Sequence, residues 1–161
     1  MNATQLIGIV AFFGAALACA TAAFRKREGR KVWITLAFMH LAFSIEVLVG
    51  FRHRVHNLAV SGLLADGIYG QRAEIQLPLI GLLGLVLAAV AVMILTRLRN
   101  ANARQKLAVA LAAALVALFT IETVSLHAID AILYRPVGPI MLIGWIWLAA
   151  CAATILTIIG A

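Results

Sequence analysis

Apolar residues run along this chain in five long blocks, at residues 6–24, 32–51, 77–96, 107–133 and 140–160, separated by short segments that carry most of the charge. Each block is long enough, at about 20 residues, to cross a hydrocarbon core of roughly 30 Å as a helix. The blocks occupy most of the 161 residues and leave no room for a soluble domain. The pattern predicts one all-α integral membrane domain over residues 1–161, a bundle of five transmembrane helices.

Two carboxylates interrupt this pattern. Glu46 lies inside the second block and Glu122 inside the fourth, in matching contexts: Phe43-Ser44-Ile45-Glu46 and Phe119-Thr120-Ile121-Glu122, 76 residues apart. A carboxylate near the bilayer centre costs roughly 2.5–3.5 kcal/mol on insertion scales. Both glutamates fall at about 21–23 Å from the start of their blocks, at about 1.5 Å per residue. Equal depth and equal context suggest two duplicated hairpins, a parallel repeat about an axis normal to the membrane, followed by a closing helix.

Composition sharpens this picture. Hydrophobic residues make up 65% of the chain and charged residues 12%, against a usual 45–50% apolar in soluble domains. The net charge of +7 is distributed asymmetrically. Arg25, Lys26, Arg27, Arg30 and Lys31 fill the first connection, and Arg97, Arg99, Arg104 and Lys106 fill the third. Arg52, Arg54, Arg72 and Arg135 fall on the opposite side. The positive-inside rule then predicts a multi-pass protein of the cell inner membrane, N-terminus extracytoplasmic and C-terminus cytoplasmic. Basic loops beside anionic headgroups account for the charge without nucleic acid. No Lys or Arg precedes the first block, so it is expected to be an anchor rather than a cleaved signal peptide.

The outer connection, residues 52–76, is too long for a simple turn. Its apolar residues among glycines predict a short interfacial helix and a turn over the outer end of the bundle. Tyr69 and Arg72 are its candidate contact residues. Pro78 suits the first turn of the third helix. Small residues at 14–20 and 108–114 are expected to let helices approach closely. Trp33 is expected at the membrane interface. Cys19 and Cys151 form no C-x-x-C pair and read as small apolar residues.

The polar residues divide by depth. At about 100° per residue, Glu46 and His53 share a face of the second helix, and Asp130 lies about 80° from Glu122 on the fourth. His53, His127 and Asp130 are about 7–12 Å further out than the glutamates, too far for one metal with bonds of about 2.0–2.2 Å. Two layers follow. The outer layer, His53, His56, His127 and Asp130, offers three imidazoles and a carboxylate that could hold zinc, iron or copper. The alternative is a set of boundary residues hydrogen-bonded to headgroups, water or Tyr69. The deep layer, Glu46 and Glu122, would hold at least one proton if the two faced each other, as a proton relay or a helix-pairing contact. His40 stands alone, at a depth that leaves it without an axial partner for haem within one monomer.

No nucleotide-binding, hydrolase or zinc-protease motif is present, so the sequence alone assigns no enzymatic activity. Three functions fit. The first is a small membrane protein with a metal- or redox-cofactor-binding site near the extracytoplasmic face. The second is an accessory or structural subunit of a larger membrane complex. The third is a proton-coupled transporter, which five short helices could form only as a homo-oligomer. Beyond such an assembly or complex, the expected partner is the lipid bilayer.

Overall fold

Four long helices make the body of the molecule in a computed structural model, which describes residues 1–25, 29–51, 54, 57, 61, 85, 96, 98–99, 101–124 and 127–159. They are α1 (Ala3–Arg25), α2 (Arg30–Val49), α3 (Ala103–Val124) and α5 (Leu142–Ile159). A short helix α4 (His127–Leu133) and a two-residue hairpin, β1 (Pro136–Val137) with β2 (Ile140–Met141), join α3 to α5. Gly138 turns the hairpin at φ +66°, a left-handed conformation that glycine adopts without steric cost.

Two helix starts are set by the same local chemistry. Asn2 Oδ1 accepts from the Gln5 N–H at 2.8 Å, while the Asn2 N–H donates to Gln5 Oε1 at 3.1 Å. Asn102 and Gln105 repeat the arrangement at the head of α3, at 2.9 and 3.3 Å. These reciprocal caps satisfy free N–H groups of the first turn. They begin α1 and α3 three to four residues before the apolar blocks begin. At the end of α2, Gly50 takes φ +66° and its N–H donates to the Glu46 carbonyl at 2.7 Å, a left-handed cap.

The direction of each helix follows from contacts at the two ends. Thr4 Oγ1 accepts from the Met141 N–H at 3.0 Å, so α1 and α5 begin at one end of the bundle. At the other end Gly29, between α1 and α2, abuts the Gln105 side chain that opens α3. α2 and α3 therefore run parallel to each other and opposite to α1 and α5. Gly50 lies at the end where α1 starts, beside Asn2 and Thr4 around one cavity. We name the two ends the cavity end and the basic end, since Arg25, Arg30, Lys31, Arg104 and Lys106 flank the latter.

All four long helices are long and apolar enough to cross a membrane, and the protein is a helical membrane protein. Large apolar side chains point outward along them, including Phe13, Leu17, Phe38, Leu48 and Leu156. On a bundle whose solvent is lipid this is the favourable face. The third block and the outer connection lie outside the described residues, apart from isolated positions.

Residues 103–124 and 127–133 are helical, and residues 125 and 126 between them lie outside the described residues. One expectation needs revision. Trp33 is no interfacial anchor: it is 1% exposed and packs with Cys19, Ala22, Leu36, Ala108 and Ala112. Within the small-residue stretches Ala15, Ala16, Cys19, Ala108 and Ala112 are buried, and close approach of α1 depends on Gly8 as well. A Cβ at Gly8 would lie 2.6 Å from the Trp147 ring and 3.3 Å from Val47, whereas one at Gly14 would meet nothing within 4 Å. Gly8→Ala should accordingly lower stability by about 1–3 kcal/mol through overpacking against a rigid indole. Gly14→Ala should leave it unchanged or slightly raised. Unfolding of the detergent-solubilised variants measures both, and equal melting curves would contradict the α1–α5 contact.

Candidate functional site

Glu122 sits in the last turn of α3 and is buried. The Tyr134 hydroxyl donates to its Oε1 at 2.7 Å. Twelve residues of continuous helix would separate the two by about 18 Å along the axis, beyond the reach of the side chains. The bond therefore shows that residues 122–134 do not follow one straight helix axis. At the end of α4 the Tyr134 N–H donates to the Asp130 carbonyl at 2.9 Å, so Asp130 and Tyr134 belong to one turn. The angles and rises that set Asp130 apart from Glu122 assumed a straight helix.

One tier below, toward the basic end, each long helix contributes an aromatic ring. Phe43 of α2 stacks on Phe119 of α3 with centroids 4.9 Å apart and planes 3° from parallel. Phe119 stacks in turn against Trp147 of α5 at 5.8 Å. Phe12 of α1 lies tilted against all three. Phe43 and Phe119 are the equivalent residues of the two matching tetrapeptides, so the parallel helices α2 and α3 bring those segments to one depth. Glu46 and Glu122 each follow three residues later, toward the cavity end. Glu46 is half-buried. Nearby hydroxyls are turned to their own helix: Thr120 donates to the Val116 carbonyl at 2.5 Å and Thr123 to that of Phe119 at 2.9 Å.

A cavity of about 120 Å³ opens at this end, walled by Asn2, Thr4, Gln5, Val47, Gly50, Tyr134, Met141, Ile143 and Trp147. It is large enough for several waters and offers them polar partners. Tyr134 lines the cavity while its hydroxyl binds the buried carboxylate. The phenol thus stands between a space that can hold water and a group that can hold a proton.

Of the residues singled out in the sequence, His53, His56, Tyr69 and Arg72 lie outside the described residues. His127 opens α4, and its side chain is likewise outside what is described. Asp130 is half-buried. Among the described residues no group of three or more His, Cys, Asp or Glu side chains is placed to hold a metal ion, so the metal-binding expectation gains no support there. Sequence reasoning missed Tyr134 and the cavity residues Asn2, Thr4 and Gln5. Two signals were available: the Asn-x-x-Gln capping pattern, and the Pro136-Val-Gly-Pro139 segment, which marks a turn near Tyr134.

No known protein family, curated protein or solved structure matches the chain. A double-mutant cycle measures what the site contributes. Tyr134→Phe should lower stability by about 1–3 kcal/mol, because it strips a partner from a buried carboxyl. In a Glu122→Leu background the same change should cost much less, a coupling of about 0.5–3 kcal/mol. Additive effects would mean that the hydrogen bond is not formed in the membrane.

Proposed function

We propose that the protein is a multi-pass protein of the cell inner membrane whose cavity-end site exchanges protons with the extracytoplasmic side, and that this exchange drives proton-coupled transport by a homo-oligomer. The observation that carries the reading is the 2.7 Å bond from Tyr134, a cavity-lining phenol, to the buried carboxyl of Glu122. Ionisable groups held inside a membrane bundle mark proton relays and ion pathways by default. A phenol hydroxyl can accept a proton from cavity water and release its own to the carboxylate, so no charge need cross open hydrocarbon. Glu46, three residues beyond the stacked Phe43, supplies a second carboxyl at the same level.

The orientation rests on charge. Of the described basic residues, Arg25, Arg30, Lys31, Arg99, Arg104 and Lys106 lie at the end away from the cavity and Arg54 and Arg135 at the cavity end, and the excess of positive charge favours the cytoplasmic side. The cavity, and with it the N-terminus, then faces outward. The described helices leave the cavity end at Gly50 and resume at the basic end at Asn102. This supports an odd number of crossings, and so the five-span count with the C-terminus in the cytoplasm.

The second reading is the metal site. Its support is that His127 and Asp130 lie one turn apart on α4, the helix that delivers Tyr134 to Glu122. His53-x-x-His56 would complete a set able to take zinc, iron or copper. If that reading holds, purified protein carries stoichiometric Zn, Fe or Cu by elemental analysis and His127→Ala loses it. Metal-free protein of unchanged activity would dismiss it.

Transport is tested in proteoliposomes under an imposed proton gradient. Glu122→Gln and Glu46→Gln keep size and hydrogen bonding but remove titration. Each should abolish proton flux while leaving thermal stability near normal. Wild-type protein that carries no flux under any gradient would overturn the proposal, and Glu122→Gln protein with full flux would remove the carboxyl from it.

A further inference from the structure

The buried stripe of α2 consists of Trp33, Leu36, His40, Ser44 and Val47, a three-and-four spacing that turns one face of the helix toward α1. Two members of this stripe are polar in ways that packing alone does not require. His40 has no exposed surface. Its Nδ1 lies 2.8 Å from the Leu36 carbonyl, and a carbonyl can only accept, so Nδ1 carries the hydrogen. That choice leaves Nε2 as a bare lone pair. It is buried and has no hydrogen-bond partner among the described residues. Phe43 meets the imidazole edge-on at 6.2 Å and Phe12 lies tilted at 6.4 Å. A buried acceptor is normally satisfied, and one left open calls for an explanation.

Ser44 lies four residues on, one turn nearer the cavity on the same stripe. Its hydroxyl donates across to the Ile9 carbonyl of α1 at 3.2 Å, which leaves the oxygen lone pairs available. Val47, the next member of the stripe, is already part of the cavity wall, as is Gly50. The α1–α2 seam thus carries a cavity, a hydroxyl able to accept and donate, and an unfilled imidazole nitrogen at successive turns, about 5–6 Å apart along the axis.

From this arrangement we propose that His40 Nε2 is the deep proton acceptor of the cavity-end site, reached along the α1–α2 seam through Ser44. The inference rests on the proton-exchange reading of that site and names a station that the reading does not contain. The transfer balances simply. A hydronium ion in the cavity gives its proton to Ser44 Oγ, directly or through one bridging water, and becomes water. The Ser44 hydroxyl, bonded to the Ile9 carbonyl and not to Nε2 in this structure, turns from that carbonyl and passes its own hydrogen to His40 Nε2. The new Nε2–H replaces the O–H bond broken in the hydronium ion, and the imidazole becomes an imidazolium, still bound to the Leu36 carbonyl through Nδ1. The titratable groups on the surrounding elements are the thiol of Cys19 on α1, the carboxyl of Glu46 on α2 itself, the carboxyl of Glu122 on α3 and the thiol of Cys151 on α5. The described Lys and Arg residues lie at the helix ends rather than in this interior.

Nitrogen-15 NMR of histidine-labelled full-length protein in lipid nanodiscs tests the proposal, with His40→Gln assigning the signal. At alkaline pH His40 should show a protonated Nδ1 and a bare Nε2, and on acidification both nitrogens should become protonated while the fold persists. Ser44→Ala should move that midpoint to lower pH, because the new Nε2–H loses its acceptor. His40→Gln should also reduce proton flux at least tenfold in proteoliposomes. An Nε2 that is protonated at every pH, or bare until the fold is lost, would overturn the proposal. So would full flux in His40→Gln protein when Glu122→Gln protein has none, and the proton-exchange reading would then stand without His40. Should His40 titrate with the Ser44 dependence in protein that carries no flux, the acceptor is upheld and the transport reading falls.

Discussion

Four helices meet at one aromatic tier, and most of what this structure positions depends on it. Phe12, Phe43, Phe119 and Trp147 come one from each long helix and fill the centre of the bundle with rings in mutual contact. Lipid is as apolar as any side chain, so helices in a membrane gain little from hiding leucine and must associate by close packing and polar contacts. Flat, rigid rings meet that requirement with large contact areas and little lost rotamer freedom. Gly8 completes the tier by letting Trp147 lie against the backbone of α1. The stacked pair Phe43 and Phe119 sets α2 and α3 in register, and the positions of the two glutamates follow from that register.

Above the tier the bundle opens. After α4 the chain turns through a hairpin; Tyr134 is bonded to Glu122 and Met141 is seated on Thr4. A buried carboxyl, a phenol and a cavity are thereby collected at one end, opposite the basic end. Buried polar groups occur along the whole bundle: Ser44 and His40 lie on the seam beneath the cavity and Glu122 beside it, while Gln105, Thr154 and Thr157 are buried toward the basic end. Toward the basic end the packing around Trp33, Leu36, Ala108 and Ala112 is dense and apolar.

Hydrophobic length and charge are properties of the chain itself. A block of about 20 apolar residues becomes a helix in lipid wherever it lies, because its backbone groups have no other partners there. The membrane class, the helical character and the positions of α1, α2 and α5 were therefore legible to within a few residues, and so was the equal depth of the two Phe-x-Ile-Glu segments. Helix starts were less so, since Asn2 and Asn102 act through caps that hydrophobicity does not register. Trp33 was misplaced because tryptophan suits both an interface and a core, and only the neighbours decide between them.

What only the tertiary structure decided is which residues meet. The 107–133 block reads as one helix, and on a straight axis Tyr134 is remote from Glu122. Departure from that axis turns a distant residue into a hydrogen-bond partner, and no local propensity in an apolar run announces it. The cavity likewise draws on Asn2, Gly50, Tyr134 and Trp147, which are scattered along the sequence and share a wall only once four helix ends converge. The sequence alone determined where the helices are and which groups are costly to bury. Their packing determined which of those groups became a site, because contact between distant residues is a property of the assembled bundle.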